Sequence, residues 1–221
     1  VTTPADADRA TRDRYATAES ATRYVSELDH PVARVIAAGE HRAVRRAVAS
    51  LGGPPNDGCW LDVAGGSGKL ASAGLPGRRI ALDVSRPMLA RDRSGSPAIV
   101  ADARALPLAD GAVDVVVVLR LLHRCSDDMV RIVVAEGLRA ARLGVVISDT
   151  LPTPVWRSVL RRMLGRSPVA GGRTRDRLRS LVVDGGGRIA VDVATVPLLS
   201  SEHVVLITAG LIRDFRSPNR C

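Results

Sequence analysis

The sequence predicts an α/β fold with a doubly wound, mostly parallel seven-stranded sheet, helices on both faces and an antiparallel strand at one edge. Three observations lead there. Between Cys59 and Asp149 short apolar runs alternate with helical or loop segments, the pattern of right-handed crossovers joining parallel strands. The strongest run, Val113 to Leu119, is apolar on both faces once past Asp114, which only a strand covered on both sides tolerates. The alternation then breaks: Arg188–Val196 and Glu202–Ala209 are strand-like with no helix between them, so they are expected to pair antiparallel.

The elements follow in order. Val32 to Leu51 carries Val35, Ile36, Ala38, Val44 and Val48 at helical spacing, and Gly52-Gly53-Pro54-Pro55 stops that helix. Cys59–Ala64 reads as the first strand, followed by glycines and a short helix from Lys69 to Ala73. Arg79–Val84 is the second strand, and Pro87–Arg93 a helix started after Ser85. Ala98–Ala101 and Val113–Leu119 are the third and fourth strands, Asp127–Arg142 a helix and Val145–Asp149 the fifth strand. Trp156–Leu164 and Thr174–Val183 read as helices before the final pair. This divides the chain into an N-terminal helical lid or substrate segment (1–50), an α/β domain (51–213) with a substrate-side insert (151–180), and a short tail (214–221).

Composition narrows the class. Hydrophobic residues make up 46% of the 221, enough for a buried core, and with aromatics at 2% aliphatic side chains must fill it. No apolar run approaches the roughly 20 residues of a membrane span, and Val1–Ser20 lacks an apolar signal core, so a cytoplasmic protein with no membrane partner is expected. Cys59, Cys125 and Cys221 are odd in number and lack metal-ligand spacing, which reads as free thiols in a reducing compartment. The histidines are scattered, so no metal is expected. A net charge of +9 raises the question of nucleic acid. The cations are nearly all Arg, with Lys69 the only lysine, a usage that a GC-rich genome also produces. Two Trp, two Tyr and one Phe offer few rings for stacking bases, so a nucleic-acid partner is not expected.

The chemistry sits at three strand ends. The first junction reads Asp62-Val63-Ala64-Gly65-Gly66-Ser67-Gly68-Lys69: its glycines let the backbone approach a ligand and turn sharply into a helix whose N–H groups favour an anion. Alone it fits a dinucleotide turn, a phosphate loop or a tight connection, although the GK[ST] ending of a Walker loop is absent. At the second junction Asp83 ends Ile80-Ala81-Leu82-Asp83, where a carboxylate can hold two neighbouring ribose hydroxyls. Both features point to an adenosine-bearing cofactor without deciding which.

The third junction decides. Asp102-Ala103-Arg104-Ala105-Leu106-Pro107-Leu108-Ala109-Asp110-Gly111-Ala112-Val113-Asp114-Val115-Val116 resembles the pattern D-A-x-x-L-P-F-x-D-x-x-F-D-x-V of class I S-adenosylmethionine-dependent methyltransferases, a Rossmann-like family. The likeness covers Asp62 to Asp149 well and the rest in outline, and is closest to quinone-biosynthesis and natural-product enzymes, whose first loop reads D-x-A-G-G-T-G. Ala64 stands where the wider family has glycine, and the short Asp62–Asp83 spacing implies a shortened first helix.

The resemblance implies S-adenosyl-L-methionine as cofactor, and a role for each matching position. Asp62 would order the loop and receive the methionine ammonium through water. Ala64, Gly65, Gly66 and Gly68 would give backbone contacts to the methionine moiety, and Asp83 would bind the ribose. Val84 and Met88 would flank the adenine, with Asp102 and Ala103 at its edge. Leu119 and Arg120 would pass under the sulfonium, and Tyr24 would close over the cofactor from an N-terminal helix. Of the candidate bases, His123 lies at the mouth of the fourth strand and titrates near working pH, and Asp149 ends the fifth. In the insert, Arg157, Arg161, Arg162, Arg166, Arg173, Arg175, Arg177 and Arg179 suit an anionic small-molecule acceptor. The expected function is therefore methyl transfer to a small anionic metabolite by a monomer or homodimer. The alternatives are an RNA methyltransferase using the basic surface, or a methyltransferase fold with a non-methylating role.

Overall fold

A computed structural model of the chain describes residues 4–28, 30–150, 173–195 and 202–209. Seven strands, β1 (Cys59–Val63), β2 (Arg78–Asp83), β3 (Ala98–Val100), β4 (Val113–Val118), β5 (Ala141–Thr150), β6 (Gly187–Ala194) and β7 (Glu202–Ala209), form one sheet in the order β3-β2-β1-β4-β5-β7-β6. The neighbours among β1 to β5 pair parallel, whereas β7 pairs antiparallel with both β5 and β6. The strand that runs against the other six therefore lies one place in from the rim, within the antiparallel pair the sequence predicts. Strand order reverses between β1 and β4, and the crevice beyond their C-terminal ends is where such sheets bind ligands.

All six residues of β4 are buried, as its unbroken apolar run requires. Its valines serve two cores in alternation. Val115 and Val117 pack with Val44, Ala47 and Val48 of helix α3 (Pro31–Ala49), while Val116 and Val118 pack with Val130, Val133 and Val134 of α5 (Asp127–Ala140) and Leu178 and Leu181 of α6 (Arg175–Asp184). Burying a valine contributes about 1.5–3 kcal/mol, so this strand anchors both layers. Asp114, the polar exception, accepts from the Cys59 N–H at 2.8 Å and from Arg142 at 2.6 Å. That pairing with Arg142 explains why β5 begins at Ala141, directly after α5, rather than at Val145.

The first crossover is short, as the Asp62–Asp83 spacing implies: one 3-10 turn over Lys69–Ser72. Helix α4 (Arg86–Leu89) is a single turn, shorter than the expected Pro87–Arg93. The helix expected over Trp156–Leu164 lies outside the described residues. Within the helical segment expected over 1–50, two helices whose bounds the sequence reading did not give, α1 (Pro4–Asp13) and α2 (Ala18–Leu28), precede α3. They dock on the C-terminal edge of the sheet through polar contacts. Ser126 N–H donates to Asp8 at 2.7 Å, Thr11 Oγ1 to Arg124 O at 2.9 Å, Ser85 Oγ to Tyr15 O, and Arg91 to Thr22. Cys125 is a buried free thiol, whereas Cys59 is disulfide-bonded, a correction to the expectation of free thiols throughout. Among the described residues no helix is long and apolar enough to cross a membrane.

Candidate functional site

Beyond β1 the chain turns through Ala64 at φ 55°, Gly66 at φ 48° and Gly68 at φ 81°, left-handed conformations that favour glycine. A Cβ on Gly66 would lie 2.8 Å from Met88 Cε and 3.5 Å from Asp83 Oδ2, so the missing side chain keeps that space open. A buried cluster holds the loop from below. Arg79 donates from Nε and Nη2 to Asp62 Oδ2 at 2.8 and 2.7 Å, and from Nη1 to Asp92. Burial pushes the Asp62 carboxyl up to about 6, with the Arg79 guanidinium opposing. At the end of β2, Asp83 accepts from Ser85 N–H at 2.8 Å and from the amides of Gly66 and Val84, which fixes its carboxylate even though burial raises it. Ser85 caps α4 by accepting from Met88 N–H.

A cleft opens over this loop. Of the residues expected at a cofactor, Tyr24, Asp62, Ala64, Gly65, Gly66, Met88, Leu119 and Arg120 line it, joined by Ser67, Lys69 and Leu70. The sequence reading missed Lys69 and the residue behind it. Glu40, fully buried on α3, accepts from Lys69 Nζ on one oxygen and from Arg120 Nε at 2.7 Å on the other. The signal was present in the one lysine directly after the glycine loop, and in an acid among the alanines of α3. Arg120 is also left-handed, at φ 60°, with its N–H donating to Ser148 Oγ at 2.8 Å. Burial raises Tyr24, with Arg120 opposing.

Gly68, Asp83, Val84, Asp102 and Ala103 lie outside this opening. Gly68 precedes the 3-10 turn, Val84 is exposed and Ala103 buried. Asp102 is gripped by Arg104 at 2.6 Å and by Arg12 of α1 at 3.3 Å. The α1–α2 segment thus covers the Asp102 end of the crevice, with the Tyr15 ring 4.9 Å from that of Tyr24.

The two candidate bases differ. Asp149 is fully buried and bonded by Arg173 at 3.2 Å, and Arg173 also donates to Leu122 O, Cys125 O and Asp127. Its charge is committed to pinning Arg173 against the turn that carries His123. His123 Nδ1 is buried with no hydrogen-bond partner among the described residues. Burial, then Arg124, Arg120, Arg14 and Arg173, lower its pKa to about 4. Among the described residues no cluster of His, Cys, Asp or Glu could hold a metal ion.

A mostly parallel seven-stranded sheet with a glycine-rich first turn and a fixed carboxylate after β2 has the arrangement of the class I methyltransferase fold. Residues 61–147 match the model of a methyltransferase-domain family. Solved structures agree on the fold. Magnesium protoporphyrin IX methyltransferase from Synechocystis PCC 6803, with bound SAH, is 18% identical at a TM-score of 0.69, over 92% of this chain and 100% of that one. Human N-acetylserotonin methyltransferase in complex with SAM is 15% identical at 0.64, over 94% and 66%. CalO1, a methyltransferase in calicheamicin biosynthesis in its SAH-bound form, is 22% identical at 0.55, over 76% and 54%. No curated protein matches the sequence.

Proposed function

We propose that the chain binds S-adenosyl-L-methionine in the crevice over β1 and β4 and transfers its methyl group to a small anionic metabolite. The observation that carries this reading is the cradle itself. The glycine loop, the space left by the absent Gly66 side chain and the Asp83 carboxylate, held by the Ser85 N–H, lie together beside the cleft. Asp83 would hold the ribose hydroxyls, with Val84 and Met88 beside the adenine and Asp102 and Ala103 at its edge. The loop from Ala64 to Gly68 would carry the methionine moiety over Asp62, with Leu119, Arg120 and Tyr24 closing the sulfonium end. When bound, the cofactor supplies an electrophilic methyl group, and the protein's part is orientation and exclusion of water.

An anionic acceptor suits a chain of net charge +9 with arginines concentrated between 151 and 179. It also suits His123. An imidazole whose pKa is near 4 is neutral at working pH but a poor proton acceptor. An acceptor that arrives already ionised needs no strong base, and His123 then positions it. The arms of the proposal are separable. Calorimetry with S-adenosylmethionine and S-adenosylhomocysteine is expected to give micromolar binding, weakened at least about tenfold in Asp83→Ala, or about 1.4 kcal/mol. No binding by the wild type removes the reading. The net charge also favours an RNA acceptor, for which retention on RNA would fall steeply with salt. Turnover of small anions without such retention decides for the metabolite.

A further inference from the structure

The arginines beside the crevice fall into two groups. Arg120 is paired with Glu40, and Arg173 with Asp127 and Asp149. Arg14 and Arg124 form no ion pair with a carboxylate among the described residues, yet the fold brings them to the same place. Arg14 Nε donates to Tyr15 OH at 3.1 Å, and its guanidinium carbon lies 5.6 Å from the Tyr15 ring. That ring packs at a tilt against Tyr24, which lines the cleft. Helix α1 is fastened to the backbone of Arg124 by Thr11. Desolvation and then the charge of Arg14 lower the pKa of Arg124, so the two guanidinium groups feel one another. Next in sequence to Arg124 is His123, whose Nδ1 is buried without a hydrogen-bond partner among the described residues. Two exposed like charges and a buried ring nitrogen thus stand close together with no carboxylate partner among the described residues.

We infer that Arg14 and Arg124, with Nδ1 of His123, form the subsite for an oxyanion of the acceptor, a carboxylate or a phosphate, one arginine coming from the lid and the other from the turn after β4. The inference rests on the methyl-transfer reading. Planar guanidinium forks match both oxyanions, and His123 in its Nδ1–H tautomer would donate the third bond. Because Arg14 belongs to the lid, the subsite is complete only when α1 and α2 are docked, which ties acceptor binding to closure over the cofactor.

The test follows His123 by NMR of the full chain labelled at its histidines, saturated with S-adenosylhomocysteine. Sodium benzoate and inorganic phosphate are added in separate titrations at constant ionic strength, with chloride as control. A saturable shift of the His123 ring signals by one or both probes is expected, and the arm that responds names the oxyanion. Arg14→Gln and Arg124→Gln should each weaken it about tenfold, the scale of a lost charge-assisted contact, with S-adenosylhomocysteine affinity kept within about twofold. Arg124→Lys should recover part of it. No saturable shift with either probe, or equal affinity in both glutamine variants, overturns the subsite. So does a shift present in the unliganded protein that vanishes once S-adenosylhomocysteine is bound, because the arginines would then be holding the cofactor's own carboxylate. Failure of S-adenosylhomocysteine to bind counts against the methyltransferase reading instead, and the titrations repeated without it still test the oxyanion site.

Discussion

Two arginine clusters flank the same crevice and are built in opposite ways. Beneath the glycine loop, Arg79 is surrounded by Asp62 and Asp92, with the side chains of all three no more than 6% exposed. Where Thr11 fastens the N-terminal segment to the turn after β4, Arg14 and Arg124 form no ion pair with a carboxylate among the described residues. The first is out of water with its one cation paired to two carboxylates, so it sets backbone geometry; the second holds exposed guanidinium charge with no carboxylate partner among the described residues, as a ligand subsite would. A buried ion pair is a poor source of net stability, but breaking one is costly because the remaining charge is stranded.

The sharpest way to break the comparison is to strand that charge. Arg79→Met leaves Asp62 buried beside Asp92 without its cation, and should destabilise the fold by about 3–5 kcal/mol. Urea denaturation measures this, and Asp62→Asn added to Arg79→Met should restore a substantial part. The same loss from Arg124→Gln would erase the distinction between the clusters; that variant is expected to unfold within about 0.5 kcal/mol of wild type.

Next in size is the cradle above the first cluster. In Gly66→Ala the new methyl meets Met88 Cε at 2.8 Å and crowds the approach to Asp83. Affinity for S-adenosylhomocysteine should fall at least about tenfold, against a stability cost near 1 kcal/mol for a left-handed alanine. Unchanged affinity would show that the ligand does not pass over Gly66.

His123 reports on the second cluster through pH. Its folded pKa, about 4, lies below the unfolded value of 6.5. The unfolded chain therefore binds more protons between these values. The stability tied to neutral His123 is fully present above pH 6.5 and is lost as pH falls through 4. Allowing for partial solvent exposure, the loss is about 2 kcal/mol. Urea midpoints at pH 7, 5.5 and 4.5 should show this slope in the wild type and not in His123→Gln. Phosphate should flatten it, since an anion between Arg14 and Arg124 would raise the folded pKa. A slope identical in both proteins would assign the pH dependence to other groups.

The two regions also differ in how far the sequence discloses them. The sheet was legible because a buried parallel strand writes its burial directly: five valines among the six residues of β4 leave few alternatives, and Glu202–Ala209 was bounded correctly. The glycine loop was legible because close approach demands particular residues in a fixed order. Glu40, Arg79 and Arg173 were not, since each meets partners far along the chain and nothing local marks a surface-type residue that folds inward. A helical segment carrying Tyr24 was expected over 1–50, but its division into α1 and α2 was not, since the polar contacts that dock them, such as Asp8 to Ser126, join residues far apart in the chain. Pairing that depends on distant sequence, rather than periodicity, is what the chain conceals.

The smallest effect concerns the one position where the loop departs from the family's usual glycine. Ala64 sits at φ 55°, a conformation that costs a residue with a Cβ about 1–2 kcal/mol. Ala64→Gly relieves that strain but loosens the unfolded chain, which offsets about 0.4–1 kcal/mol. The expected result is a gain of about 0.5 kcal/mol, read from the urea midpoint, because the ion-paired cluster beneath already fixes the turn. Affinity for S-adenosylhomocysteine should change by less than about twofold, or 0.4 kcal/mol, since the contacts proposed there come from the backbone. A large loss of affinity would instead mean that the methyl group of Ala64 shapes the cleft, and that the strain is retained for packing against the ligand.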